Sequence, residues 1–254
     1  MNKTVSLAIL LLVFSVPAWA DVTETKEYNF ELNDDGRISL GNVNGDVEIT
    51  GTSGNKVHIV AKKKAGTQEY LDGIEIAIDD SPDSIRIETR HPKSKNRWTD
   101  WGRDSSGSVS YTLTVPEGAR LDTIDTVNGN IRITAVTGSV SADSVNGKLK
   151  LEGLQNDAKL DTVNGGITAS FDKFGAGQRF SADAVNGGIT LKLPADASAE
   201  VHAETLNGSI DADDFGMEPD KGFVGRDLDG KIGGGDGRVN IDTVNGSITI
   251  QKSD

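Results

Sequence analysis

The stretch Asp161-Thr162-Val163-Asn164-Gly165-Gly166-Ile167 decides the reading of this chain, because close copies of it return along the sequence. Asp125-Thr126-Val127-Asn128-Gly129-Asn130-Ile131, Asp143-Ser144-Val145-Asn146-Gly147-Lys148-Leu149 and Asp183-Ala184-Val185-Asn186-Gly187-Gly188-Ile189 share its pattern. So do Glu204-Thr205-Leu206-Asn207-Gly208-Ser209-Ile210 and Asp242-Thr243-Val244-Asn245-Gly246-Ser247-Ile248, while an earlier Val43-Asn44-Gly45 stands apart. From Asn128 onward the Asn residues are 18, 18, 22, 21 and 38 positions apart. A period near 20 marks one small supersecondary unit stacked on itself. The long last gap suggests a degenerate copy at Leu228-Asp229-Gly230-Lys231-Ile232.

The flanks of each corner alternate with period 2, as in Val140/Ala142 before and Leu149/Leu151 after Asn146-Gly147, so both sides are predicted strands. Asn-Gly between such runs is also a hairpin signal, since both residues tolerate positive φ. A hairpin, however, does not require the same Val before the turn or the same carboxylate two residues earlier. Strands stacked in parallel register about 4.8 Å apart do require like on like. The expected fold class is therefore all-β: a β-solenoid, parallel β-helix-like, with stacked Asn-Gly corners. Its structural ladder would be Asn128, Asn146, Asn164, Asn186, Asn207 and Asn245, amide bonded to amide. Residues 121–254 form the regular repeats, and residues 21–120 a less regular N-terminal β region that could cap one end.

Residues 1–20 read as a secretory signal peptide. Lys3 gives the positive start, Val5 to Val16 is largely apolar, and Ala18-Trp19-Ala20 fits cleavage after Ala20. The apolar run is too short for a membrane span, and the expected location is the periplasm or the secreted space. The chain has 254 residues, a formal net charge of −13 and no Cys. That acidity disfavours nucleic acid and anionic lipid as partners. Without Cys, neither disulfides nor thiolate metal sites support the fold.

The pattern resembles a secreted bacterial β-strand-repeat family of unknown function that carries the label of candidate adhesin. Gly45-Asp46-Val47-Glu48-Ile49, Tyr111-Thr112-Leu113-Thr114-Val115-Pro116, the repeated Asn-Gly corners and Gly233-Gly234-Gly235 leading into Val239–Ile250 carry the likeness. It covers nearly all of the chain after the leader. What it implies is a fold and an adhesive role; it brings no catalytic residues.

Two constellations stand out. The repeated acids Asp125, Asp143, Asp161, Asp183, Glu204 and Asp242 should face outward in one column. Neighbours about 5 Å apart repel by roughly 1 kcal/mol in water. The column reads as a solvated face, although Ca²⁺ or a basic partner would also suit it. The second is a basic, Trp-bearing loop, with Lys93, Lys95, Arg97, Trp98, Trp101 and Arg103 as candidate contact residues for a glycan or an envelope protein. His58, His91 and His202 are too scattered for a metal site or a triad. Gly230 to Gly237 lacks the Gly-Lys-Ser/Thr of a phosphate loop. No cofactor is expected. The residues thus predict a non-enzymatic adhesion or assembly surface. An enzyme acting on acidic polysaccharide, or a periplasmic regulator binding an envelope partner, are the alternatives.

Overall fold

The computed structural model describes residues 21–92, 107–221 and 225–253. It is all-β, with two long, mostly parallel sheets of ten and eleven strands. Each repeat contributes one strand to each sheet, and the Asn-Gly corner carries the chain between them. Thus Val140–Asn146 lies in one sheet and Leu149–Leu154 in the other. Equivalent residues pair in register: Asp143 with Asp125 and Asp161, Leu149 with Ile131 and Ile167.

The alternation seen in the sequence becomes a core between the sheets. Ile131, Ile133, Leu149, Leu151, Ile189, Leu191, Ile248 and Ile250 point in from one side. The other side supplies smaller groups, among them Ala142, Ala182 and Ala203 beside Leu160 and Ile241. Placing Ala opposite larger aliphatic groups lets the two sheets pack closely. Where the repeat lengthens to 22 residues, Phe171 and Phe180 pack edge-on at 5.6 Å between ring centres, and Phe174 joins Phe171 at 4.9 Å.

The stack does not follow chain order. Gly237–Asn245 lies between Arg179–Asn186 and Ala199–Asn207, in parallel with both. Ile248–Lys252 likewise enters between Ile189–Leu193 and Ile210–Asp211. The corners therefore run 186, 245, 207. The expected degenerate copy is not a corner: Arg226–Ile232 pairs antiparallel with Ala199–Asn207, its Leu228 opposite Ala203. That antiparallel strand, backed by Asp220–Lys221, covers an edge that would otherwise present free backbone groups.

The first Val-Asn-Gly belongs to the same stack. Asn44 bridges Asn128 in parallel, with Arg37–Gly41 on Arg120–Asn128 and Val47–Thr52 on Ile131–Thr134. Beyond it Ser84–Arg90 on Arg37–Gly41 and Gly107–Pro116 on Val47–Thr52 are still parallel, and only then does the order turn antiparallel: Lys56–Ala65 pairs with Gly107–Pro116 and with Val22–Glu31, and Glu75–Ser81 with Ser84–Arg90. A six-residue helix, Gln68–Gly73, interrupts this region; the Thr67 hydroxyl caps it by accepting from the Tyr70 amide, and Leu71 buries its apolar side.

Candidate functional site

Three residues make the corner. The Asn amides form one continuous chain of hydrogen bonds: Asn207 donates to Asn245, Asn245 to Asn186, Asn186 to Asn164, Asn164 to Asn146, Asn146 to Asn128 and Asn128 to Asn44, at 2.7–3.0 Å. Asn44 ends it by donating to the Gly107 carbonyl. Every donor points the same way. One residue inward from the acid, a buried hydroxyl donates to the Gly carbonyl of the adjacent corner: Ser144 to Gly129 at 3.0 Å, Thr162 to Gly147 at 3.2 Å, Thr243 to Gly187 at 3.0 Å and Thr205 to Gly246 at 2.8 Å. The corner Gly is required by that proximity. A Cβ on Gly147, Gly165, Gly187 or Gly246 would overlap the carbonyl oxygen of the next corner Gly. Among these corners only Gly45 has positive φ, so the turn chemistry that makes Asn-Gly a hairpin signal is not what selects Gly here.

Outside the sheet, alternation sets two parallel columns beside the corner. Asp125, Asp143, Asp161, Asp183, Asp242 and Glu204 form the first, as expected from the spacing. Val127, Val145, Val163, Val185, Val244 and Leu206 form the second, each 40–50% exposed. These aliphatic residues were read only as part of the corner. The signal that places them outside was available, since they stand two residues after the outward acids and a strand returns to the same face every second residue. Together the columns line an open groove of about 1050 Å³.

The acidic column is not freely solvated. Burial, then the neighbouring Asp161, pushes the Asp143 carboxyl up to about 7. The same two causes bring Asp183 to about 6. Asp125 and Asp242 are also raised, chiefly by burial. Lys159 offsets part of the charge, its ammonium 3.0 Å from Asp161. At one end of the groove, Asn42 takes the place of the Thr and Gly41 the place of the acid. The Asn42 amide nitrogen donates to the Val109 and Gly45 carbonyls. Among the described residues, its Oδ1 and the Asp125 Oδ1 are buried acceptors without a donor.

At the other end the fold gathers His202, Glu204 and Asp242, whose ligand atoms lie within 4.8 Å of one another. Sequence spacing alone left His202 isolated. The group has the donor set for a divalent cation, but His202 Nδ1 is bonded to Asp229 at 2.7 Å and Nε2 lies 3.3 Å from Glu204. The Asp229 bond raises the imidazole pKa. A protonated ring there competes with a metal. The contact-loop residues Lys93, Lys95, Arg97, Trp98, Trp101 and Arg103 lie outside the described residues. No helix among the described residues is long and apolar enough to cross a membrane.

No curated protein matches the chain. It is similar to the crystal structure of a candidate cell adhesion protein from Clostridium sporogenes, with 16% identity and a TM-score of 0.47 over 91% of this chain and 100% of the other. It is also similar to a candidate adhesin from Bacteroides fragilis, at 14% identity and a TM-score of 0.41 over 89% and 97% of the two chains. A third structure, of a candidate lipid binding protein from Parabacteroides distasonis, shares 10% identity with a TM-score of 0.30 over 91% and 97%. Residues 104–251 match the family described as Toastrack DUF4097, and the chain belongs to that family.

Proposed function

We propose that this protein is a non-enzymatic binding protein of the cell envelope or secreted space, a β-solenoid whose grooved outer face serves adhesion or assembly. The observation that carries this reading is repetition. Six ranks of the outer face present the same pair, an acid and an aliphatic side chain. An active site needs one local set of unlike groups, whereas a repeated face gives a long ligand many equal contacts. The leader at residues 1–20 supports export. An enzyme acting on acidic polysaccharide is disfavoured, because the groove would repel a polyanion.

The test is retention of the labelled protein by an envelope fraction from the producing cell. The expected result is saturable retention that falls at least fivefold in the double variant Val145→Ser/Val163→Ser. Absence of retention, or retention indifferent to that variant, overturns the proposal.

A further inference from the structure

The groove pairs two chemistries that a single ligand must satisfy together. Aliphatic side chains held half in water gain from being covered. The acids beside them repel one another and gain from a cation. Two further features mark the Asn42 end as unfinished. Asn42 is only 6% exposed, lines the groove, and has an Oδ1 that, like the Oδ1 of Asp125, meets no donor among the described residues. Flipping its amide does not help, since the nitrogen already serves two carbonyls. Gly41, opposite Asp125, leaves open space where a further acid would stand. Two buried acceptors beside a gap call for a donor from outside.

Repeat distance selects the form of the ligand. Ranks follow every ~4.8 Å, so six ranks span about 24 Å. An extended peptide laid along them returns to one side only every ~6.7 Å, and falls out of step within two ranks. An α-helix returns every ~5.4 Å, drifting only ~3 Å over the whole groove, and ~16 residues cover it. The two columns are ~7 Å apart, within the width of one helix.

We propose that the groove takes a cationic amphipathic helix, laid along the stack with basic side chains over the acids and aliphatic ones over the Val column. This rests on the reading of the outer face as a binding surface, and names the ligand class. The basic side chains of the helix would neutralise the stacked carboxylates, and its basic end would meet the Asn42 and Asp125 oxygens.

The experiment is fluorescence anisotropy of a labelled 16-residue Leu/Lys peptide with segregated faces, titrated with the whole protein at pH 8 and low salt. Its scrambled isomer and oligolysine serve as controls. The segregated peptide should bind at least tenfold tighter than either control. Asp183→Asn/Asp242→Asn and Val145→Ser/Val163→Ser should each weaken it at least fivefold, and Gly41→Asp should tighten it at least twofold. Thr168→Ala/Thr190→Ala, on the opposite sheet, should leave it unchanged. Circular dichroism confirms that each variant is folded. Equal binding of the scrambled peptide or oligolysine overturns the proposal, as do indifferent groove variants. So does self-association that occupies the groove with a second copy of this chain. Envelope retention that survives while the peptide fails would sink this inference and leave the proposed function standing.

Discussion

At the scale of single residues, the repeated motif is a contact list between neighbouring copies. Gly is fixed because the carbonyl of the next corner occupies the space of a Cβ, so Gly165→Ala must push apart the corners at 147 and 165. Backbone, not a pliable side chain, stands in the way. The expected cost is about 3 kcal/mol or more, read from denaturant unfolding; a loss under about 1 kcal/mol would show that the stack yields easily. The opposite case is Ala184. It holds the buried position where Thr162 and Thr243, its partners in register, donate to a Gly carbonyl. Gly165's carbonyl receives no such bond from Ala184. Ala184→Thr fits a backbone that already accepts Thr on both sides, and should stabilise the protein by about 1 kcal/mol. The same melts check it, and a fall in stability would mean that the local spacing differs from its neighbours.

At the scale of the element, what matters is that a strand puts every second residue on one face. That rule made the strands, the inner columns and the outward acids legible. It applied equally to Val145 and Val163, which were read only as members of the repeated corner motif. The stacked carboxylates then set a pH dependence. Asp143 is raised to about 7 and Asp183 to about 6 in the folded chain, above the ordinary carboxylate value that holds when unfolded. Between about pH 4 and 7 the folded form therefore holds more protons, and stability falls as pH rises through that window. His202, raised by Asp229, acts in the same direction at its upper end. Glu88 and Glu152 are lowered by Arg90 and Lys150 and act oppositely, below that range. The melting temperature should be higher at pH 5.5 than at pH 8. Asp143→Asn should raise the pH 8 value and flatten the difference. An unchanged profile in that variant would show that the column does not govern it.

At the scale of the whole molecule, the order of the corners is the feature that no local pattern encodes. The copies at Asn207 and Asn245 carry the same register marks, so either can stack on Asn186, and only the complete set of partners decides. Chain order and spatial order differ because the excursion from Asp211 to Gly237 is long enough to return past the Asn207 copy. Arg226–Ile232 looked like a repeat for a related reason: it fits against Ala199–Asn207, but as an antiparallel edge rather than a parallel rank. The consequence is mechanical. In a stack built in chain order, the last rank is an end, and trimming it would cost one interface. Here Gly237–Asn245 and Ile248–Lys252 have partners on both sides, and removing them opens both sheets at once. Val239, Ile241, Ile248 and Ile250, all buried, would be lost together. At roughly 1.5–3 kcal/mol for each buried aliphatic side chain, that is about 6–12 kcal/mol, comparable to the whole stability of an ordinary domain. The Asn207 copy could slide onto Asn186, but its second strand, Ile210–Asp211, is too short to cover Leu191 and Leu193 as the five-residue Ile248–Lys252 does. A chain ending at Gly235 should therefore lose its cooperative thermal transition, or melt at least about 12 °C lower. A truncated protein that melts within a few degrees of the full chain would show the C-terminal strands to be a dispensable end rather than an interior rank.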